Sequence, residues 1–141
     1  MYMARIAASL RQAVLAEASG RCAYCHSLEQ FMGVAFEVDH ITPRSLKGRT
    51  VLDNLCLSCP TCNRYKASRS SARDPVSRRR VRLFHPKRDK WREHFKWSGD
   101  GSEIIGLTPS GRATVQALHF NRPAMRLLRR YWKATGIQLE S

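Results

Sequence analysis

Two Cys-x-x-Cys pairs, Cys22-Ala-Tyr-Cys25 and Cys59-Pro-Thr-Cys62, limit most strongly what this chain can fold into. Such spacing lets two thiolates grip one zinc ion from a tight turn, and two pairs fill a tetrahedral site with sulfur. A site filled in this way keeps no open position, so the zinc is a structural staple. Chemistry must then come from the polar residues held between the staples. The fifth cysteine, Cys56, lies in the apolar run Leu55-Cys56-Leu57 and reads as a buried small hydrophobe. Cys56 and Cys59 also have Cys-x-x-Cys spacing, so spacing alone does not force the pairing. Paired thiols of this kind point to a metal site in a reducing, cytoplasmic compartment rather than to a secreted disulfide set.

Charge narrows the partners. With 25 Lys and Arg against 11 Asp and Glu, the formal charge is +14, a field that attracts nucleic acid or an anionic membrane surface. No stretch approaches the roughly 20 apolar residues of a membrane-spanning helix. The run Ala13-Val-Leu-Ala16 is too short for the apolar part of a secretion signal, and Arg5 and Arg11 interrupt what precedes it. The expected partner is nucleic acid, double-stranded DNA before others, and not a membrane.

Along the chain, Ile6, Leu10 and Val14 recur at helical spacing, which predicts a helix over 4–18 ended by Gly20. Val34, Phe36 and Val38 alternate with Ala35, Glu37 and Asp39 as in a half-buried strand. Strict alternation puts His40 on the side of Val38, so for His40 to join Asp39 the strand must end or bulge there, and Pro43 supports an ending. Arg44 to Thr50 reads as a basic loop with a turn at Gly48. Leu52 to Leu57 is a short second strand or turn, and Pro60 suits the first turn of a helix carrying Cys62, Asn63 and Lys66. The stretch Ser68–Arg82, with Asp74-Pro75 and Arg78-Arg79-Arg80, reads as a solvated or phosphate-tracking linker. Phe84, Trp91, Phe95 and Trp97 favour a small core over a base-stacking platform. Gly99-Asp100-Gly101 signals a hairpin, Thr108-Pro109 opens a helix to about Phe120, and Pro123 opens another. On that last helix Met125, Leu128 and Trp132 form one face, with Arg126, Arg129, Arg130 and Lys133 elsewhere. The fold class is α+β: a zinc-stapled ββα core with an N-terminal helix, and a basic C-terminal lobe of a hairpin plus two helices. The division expected is a core over 1–72 and a basic extension over 73–141 that packs on the core or bridges to DNA.

Between the cysteine pairs lie Glu37-Val-Asp39-His40-Ile-Thr-Pro-Arg-Ser and Asn54-Leu55, and Asn63-Arg-Tyr-Lys66 follows the last cysteine. In this order and with these gaps, the residues of 21–66 resemble the HNH motif of the ββα-metal endonucleases. The three signature positions are then His40, Asn54 and Asn63, the last as the Asn variant of a final His. The basic loop departs slightly, with Lys47-Gly48 where relatives often carry two glycines.

The residue types suit phosphodiester hydrolysis, which needs a base for water and a cation for the charge on the phosphate and leaving oxygen. Imidazole is the usual base near neutral pH, and His40 supplies it. Asp39 and Asn63 offer hard oxygens suited to magnesium or manganese. The resemblance implies that one divalent ion sits between Asp39 and Asn63, that Asn54 orients the loop carrying His40, and that the products are a 5′-phosphate and a 3′-hydroxyl. It also implies a prokaryotic or phage-type setting. Glu37 is a further candidate ligand, or simply the partner of an arginine. Asn63 could instead cap the helix that begins near Pro60. Arg44, Lys47, Arg49, Lys66, Arg78, Arg79 and Arg80 form a candidate set for the nucleic-acid backbone. His26, His85, His94 and His119 show no partner pattern. Two other readings compete with a DNA endonuclease: a zinc-stapled DNA-binding module without cleavage, and an RNA-directed nuclease or binder.

Overall fold

The computed structural model describes residues 6–137 and residue 139. The α+β class is as expected, and the described residues hold three two-stranded antiparallel sheets. Helix α1 spans Ala8–Ala18 and ends where Ser19 and Gly20 take left-handed backbone conformations. The first residues of the expected 4–18 helix, 4 and 5, lie outside the described residues; Ala7 is extended. Val14 seats the helix in the core.

The central ribbon pairs β1 (Glu37–His40) with β2 (Leu55–Ser58), placing Glu37 opposite Ser58 and His40 opposite Leu55. All of β2 is buried. Strand pairing begins later than the alternation from Val34 suggested. The backbone N–H of Phe36 is taken by the Glu29 carboxylate at 2.7 Å, and Val34 is exposed. The strand ends at His40, the ending that Pro43 suggested. Its ladder runs through His40, and Ile41 N donates to Asn54 O at 2.8 Å. A helical turn at Leu52–Asn54 leads into β2.

Helix α2 (Pro60–Lys66) starts on Pro60, with Cys59 as its cap: the Cys62 N–H points at Cys59 Sγ at 3.4 Å. The cap position is therefore filled by a cysteine, and Asn63 does not occupy it.

The segment expected to be a solvated linker is folded. Strands β3 (Ser71–Arg73) and β4 (Arg80–Arg82) form a hairpin. Its turn is organised by Asp74, which has no exposed surface. Asp74 accepts from the N–H groups of Val76 and Ser77, both at 3.1 Å, and from Arg112 Nε and Nη2, both at 2.9 Å. An ionised carboxylate tolerates burial only with such partners, and Arg112 comes from α4 (Pro109–Ala117), far along the chain. A sequence-local reading could not see that partner.

A one-turn helix α3 (Trp91–His94) leads directly into β5 (Phe95–Trp97), which pairs with β6 (Ile104–Gly106). Asp100 Oδ1 accepts from the Ser98 and Ser102 hydroxyls and the Ser102 N–H in the turn between them. Thr108 caps α4 by accepting from Gly111 N at 3.0 Å. Gly111 is required there, since an added Cβ would lie 2.1 Å from His94 O. Phe84, Trp91, Phe95 and Phe120 pack together in tilted and edge-on pairs 5.0–5.6 Å apart, so the aromatics are core. His26 stacks on Trp91 at 4.3 Å, and burial lowers its pKa to about 4.

The last helix, α5 (Pro123–Ala134), buries Met125 and Trp132. It also buries Arg129, which the sequence reading set apart from that apolar face. The Arg129 guanidinium donates to Ser102 O, Phe120 O and Asn121 Oδ1 and lies over the Trp97 ring. These bonds offset part of the loss of water, while the buried Nε has no hydrogen-bond partner among the described residues. One buried cluster runs from Val14 through the cysteines and β2 to Phe120, so α1, the ribbon and the aromatic lobe share a core.

Candidate active site and metal centre

The four paired cysteines meet. All four Sγ atoms lie within 4.8 Å of one another, and Cys25 and Cys59 are 3.8 Å apart. A tetrahedral zinc with bonds of about 2.3 Å sets its sulfurs about 3.8 Å apart, so the donor set fits. Hydrogen bonding from Cys22 draws both the Cys25 and Cys59 thiols below their usual range, whereas burial holds Cys22 up. Cys56 stays out of the group, and burial pushes its thiol up to about 12. It is the buried hydrophobe that its surroundings suggested.

One face of β1 meets one face of α2 along two rungs. On the first, Asn63 Nδ2 donates to Glu37 Oε1 at 2.7 Å. On the second, Lys66 Nζ lies 3.2 Å from Asp39 Oδ2. The spacing explains the match: i and i+2 share a strand face, while i and i+3 share a helix face. A carboxylate only accepts, so the Asn63 amide nitrogen must face Glu37 and its Oδ1 faces away.

Lys66 departs from expectation. It was a candidate for phosphate, yet it is 2% exposed and donates to His40 O at 3.0 Å while pairing with Asp39. A buried ammonium costs several kcal/mol unless paired, and these two acceptors are what permit it. Tyr24, inside the first cysteine loop, donates to the same Asp39 Oδ2 at 2.7 Å. Burial keeps the Tyr24 phenol protonated and hence a donor. Burial also pushes the Asp39 carboxyl up, and Lys66 followed by Tyr24 opposes this.

His40 Nε2 shares a hydrogen bond with Thr50 Oγ1 at 2.9 Å. Burial, then the Arg44 charge, lower the His40 pKa from its ordinary value, with Asp39 opposing. The loop after His40 is closed by Asn54, whose Oδ1 accepts from Thr42 N at 2.8 Å and whose Nδ2 donates to Thr42 O and Arg49 O at 3.0 and 2.8 Å. Gly48 passes so close that an added Cβ would lie 1.7 Å from Thr42 O.

Asp39, His40 and Asn63 line one shallow depression of ≈ 280 Å³ together with Val38, Pro43, Arg44, Ser45, Ala67 and Ser68. Glu37 does not join a carboxylate–imidazole cluster: among the described residues, the four cysteines are the only gathered group of three or more His, Cys, Asp or Glu. Glu37 instead holds the Asn63 amide. Arg44, Lys47 and Arg49 are exposed on the loop beside the depression, while Arg78, Arg79 and Arg80 are exposed on the β3–β4 hairpin and do not line it. Tyr24 and Thr50 were not singled out from the sequence. The position of Tyr24 between two zinc-type cysteines was the one available signal; Thr50 had none.

Comparisons with known proteins give one family match and one relative. Residues 22–69 match the model of the HNH endonuclease family. Septu protein PtuB of Bacillus thuringiensis is 26% identical over 115 residues, which is 80% of this chain and 41% of that protein. The chain therefore spans less than half the length of this relative. No solved structure matches it. No helix among the described residues is long and apolar enough to cross a membrane. The matched stretch, residues 22–69, is similar to the HNH endonuclease family and contains the four gathered cysteines, a set that fits a zinc ion.

Proposed function

We propose that this chain is a metal-dependent endonuclease that hydrolyses DNA phosphodiester bonds with one divalent ion. The observation that carries the reading is the gathering of Asp39, His40 and Asn63 around one open depression beside an arginine. Asp39 and Asn63 would hold the ion, magnesium or manganese. Their fit rests on the hydrogen bonds already present: Asp39 uses Oδ2 and Asn63 uses Nδ2, and no hydrogen bond among the described residues reaches either Oδ1. Two hard oxygens of this kind suit such ions. When bound, a divalent ion stabilises charge on the phosphate and the leaving oxygen.

The chain's own residues do the rest. With its proton on Nε2 and donated to Thr50, His40 presents the Nδ1 lone pair to a water and takes its proton. Asn54 fixes the loop that follows His40, and Arg44 at the rim offers a cation to the phosphate. A zinc ion on the four cysteines would take no part in these steps and would hold the β1–β2–α2 frame together. The charge of +14 favours a polyanionic substrate, and double-stranded DNA is the substrate proposed. Arg78, Arg79 and Arg80 extend the grip along its backbone, with 1–72 as the nuclease core and 73–141 as the extension that reaches the duplex. Zinc-type thiols suit a reducing compartment, and a cytoplasmic setting is the one proposed.

Incubating zinc-loaded protein with duplex DNA, single-stranded DNA and RNA, each with magnesium, manganese or EDTA, tests the proposal. Metal-dependent cutting of the duplex is expected. Binding without cutting under every metal would favour a DNA-binding module, and selective cutting of RNA would reassign the substrate.

A further inference from the structure

Tyr24 stands between two zinc-type cysteines, yet its side chain does not face the sulfurs. Its hydroxyl reaches across the ribbon to Asp39 Oδ2 at 2.7 Å, and the residue has no exposed surface. Two hydrogen bonds, one within the main chain and one from a side chain, fix where the ring starts: Ala23 N donates to Leu57 O at 2.8 Å, and the Trp91 indole Nε1 donates to Tyr24 O at 2.9 Å. The first cysteine loop, the central ribbon and the aromatic lobe thus meet around Tyr24, and its hydroxyl reaches Asp39.

The carboxylate torsion of an aspartate is broad and soft when nothing holds it. Here Oδ2 receives Tyr24 on one side and Lys66 on the other, so Oδ1 is directed away from both. We infer that Tyr24 is a positioning residue that fixes the Asp39 carboxylate for a divalent ion and ties that site to the zinc loop. This rests on the reading of Asp39 as a ligand. The buried ring is not needed for thiol chemistry, because the four sulfurs are complete without it. Its removal should therefore separate the two metals.

Manganese binding to zinc-loaded protein, followed by the electron paramagnetic resonance of free manganese, tests this in wild type, Tyr24→Phe and Asp39→Asn. Tyr24→Phe keeps the buried ring and loses only the hydroxyl. Its zinc content should match wild type and its melting temperature should stay close, while manganese affinity falls about 10- to 100-fold, as for other groups that orient metal ligands. Any cleavage deficit should shrink as manganese is raised. Wild-type manganese affinity in Tyr24→Phe would overturn the inference while leaving the nuclease reading standing. Unchanged affinity in Asp39→Asn would overturn both, because Asp39 would not be a ligand. Loss of zinc in Tyr24→Phe would overturn it too, showing that the hydroxyl supports the zinc loop.

Discussion

Asn54 and Thr42 are joined by a reciprocal pair of hydrogen bonds, with Thr42 N donating to Asn54 Oδ1 at 2.8 Å and Asn54 Nδ2 returning to Thr42 O at 3.0 Å. A third bond, to Arg49 O at 2.8 Å, closes the loop that begins beside His40. Asn54→Ala leaves three main-chain groups without partners, at a cost of about 1–3 kcal/mol for each one that water cannot reach. Cleavage should fall steeply while zinc content stays at the wild-type value. Melting curves and metal analysis on the variant check this; undiminished cleavage would show that the loop needs no such lock.

Gly48 belongs to the same lock, and a Cβ there would also lie 2.9 Å from Asn54 Nδ2. A Cβ there would sit 1.7 Å from Thr42 O, and backbone cannot step aside cheaply. Gly48→Ala should lower both melting temperature and activity, as Asn54→Ala does. Combining the two changes should cost less than the sum of the single effects, because they disturb one loop.

The pH dependence has a definite sign. His40 must be neutral to take a proton, and burial followed by Arg44 lowers its pKa below the ordinary value of about 6.5. Activity should be flat at neutral pH and fall as pH drops through that lowered value. Arg44→Ala removes one lowering influence, so the acid limb should move upward. A pH–rate profile on both proteins reads this directly, and an acid limb that stays in place would separate Arg44 from His40.

Much of the candidate site could be proposed from sequence because its cues are local. The cysteine pairs, Asp39-His40, Asn54 and Asn63 announce themselves by type and gap. What sequence could not show is where one partner lies far along the chain. Lys66 reads as one more solvated charge until Asp39 and the His40 carbonyl are placed against it. Arg129 fits a polar helix face until Ser102, Phe120 and Asn121 surround it. The linker reading of Ser68–Arg82 fails for the same reason, since Asp74 is a breaker locally and an anchor only with Arg112. The late start of β1 turns on one captured N–H, that of Phe36, which no alternation pattern records.

The Asp74–Arg112 pair should carry the hairpin through acid. Arg112 first, then the Ser77 and Val76 contacts, hold the Asp74 carboxyl well below the usual carboxylate range. A carboxyl depressed on folding stabilises the protein above its unfolded pKa of about 3.8 and loses that contribution as pH falls through the folded value. Arg112→Met should lower the melting temperature at neutral pH and raise the pH at which acid unfolding begins. Melting temperatures across pH 2–7 would show it. Superimposable curves for variant and wild type would mean that the pair contributes nothing.

The most direct test of the nuclease reading compares plasmid cleavage by wild type and His40→Ala, with zinc content measured on both. His40 lines the depression without touching the cysteine cluster, so the variant should fold, hold zinc and bind DNA. Magnesium- or manganese-dependent cutting by wild type, lost in the zinc-loaded variant, is the result expected. Cutting that survives His40→Ala would contradict it and place the chemistry elsewhere.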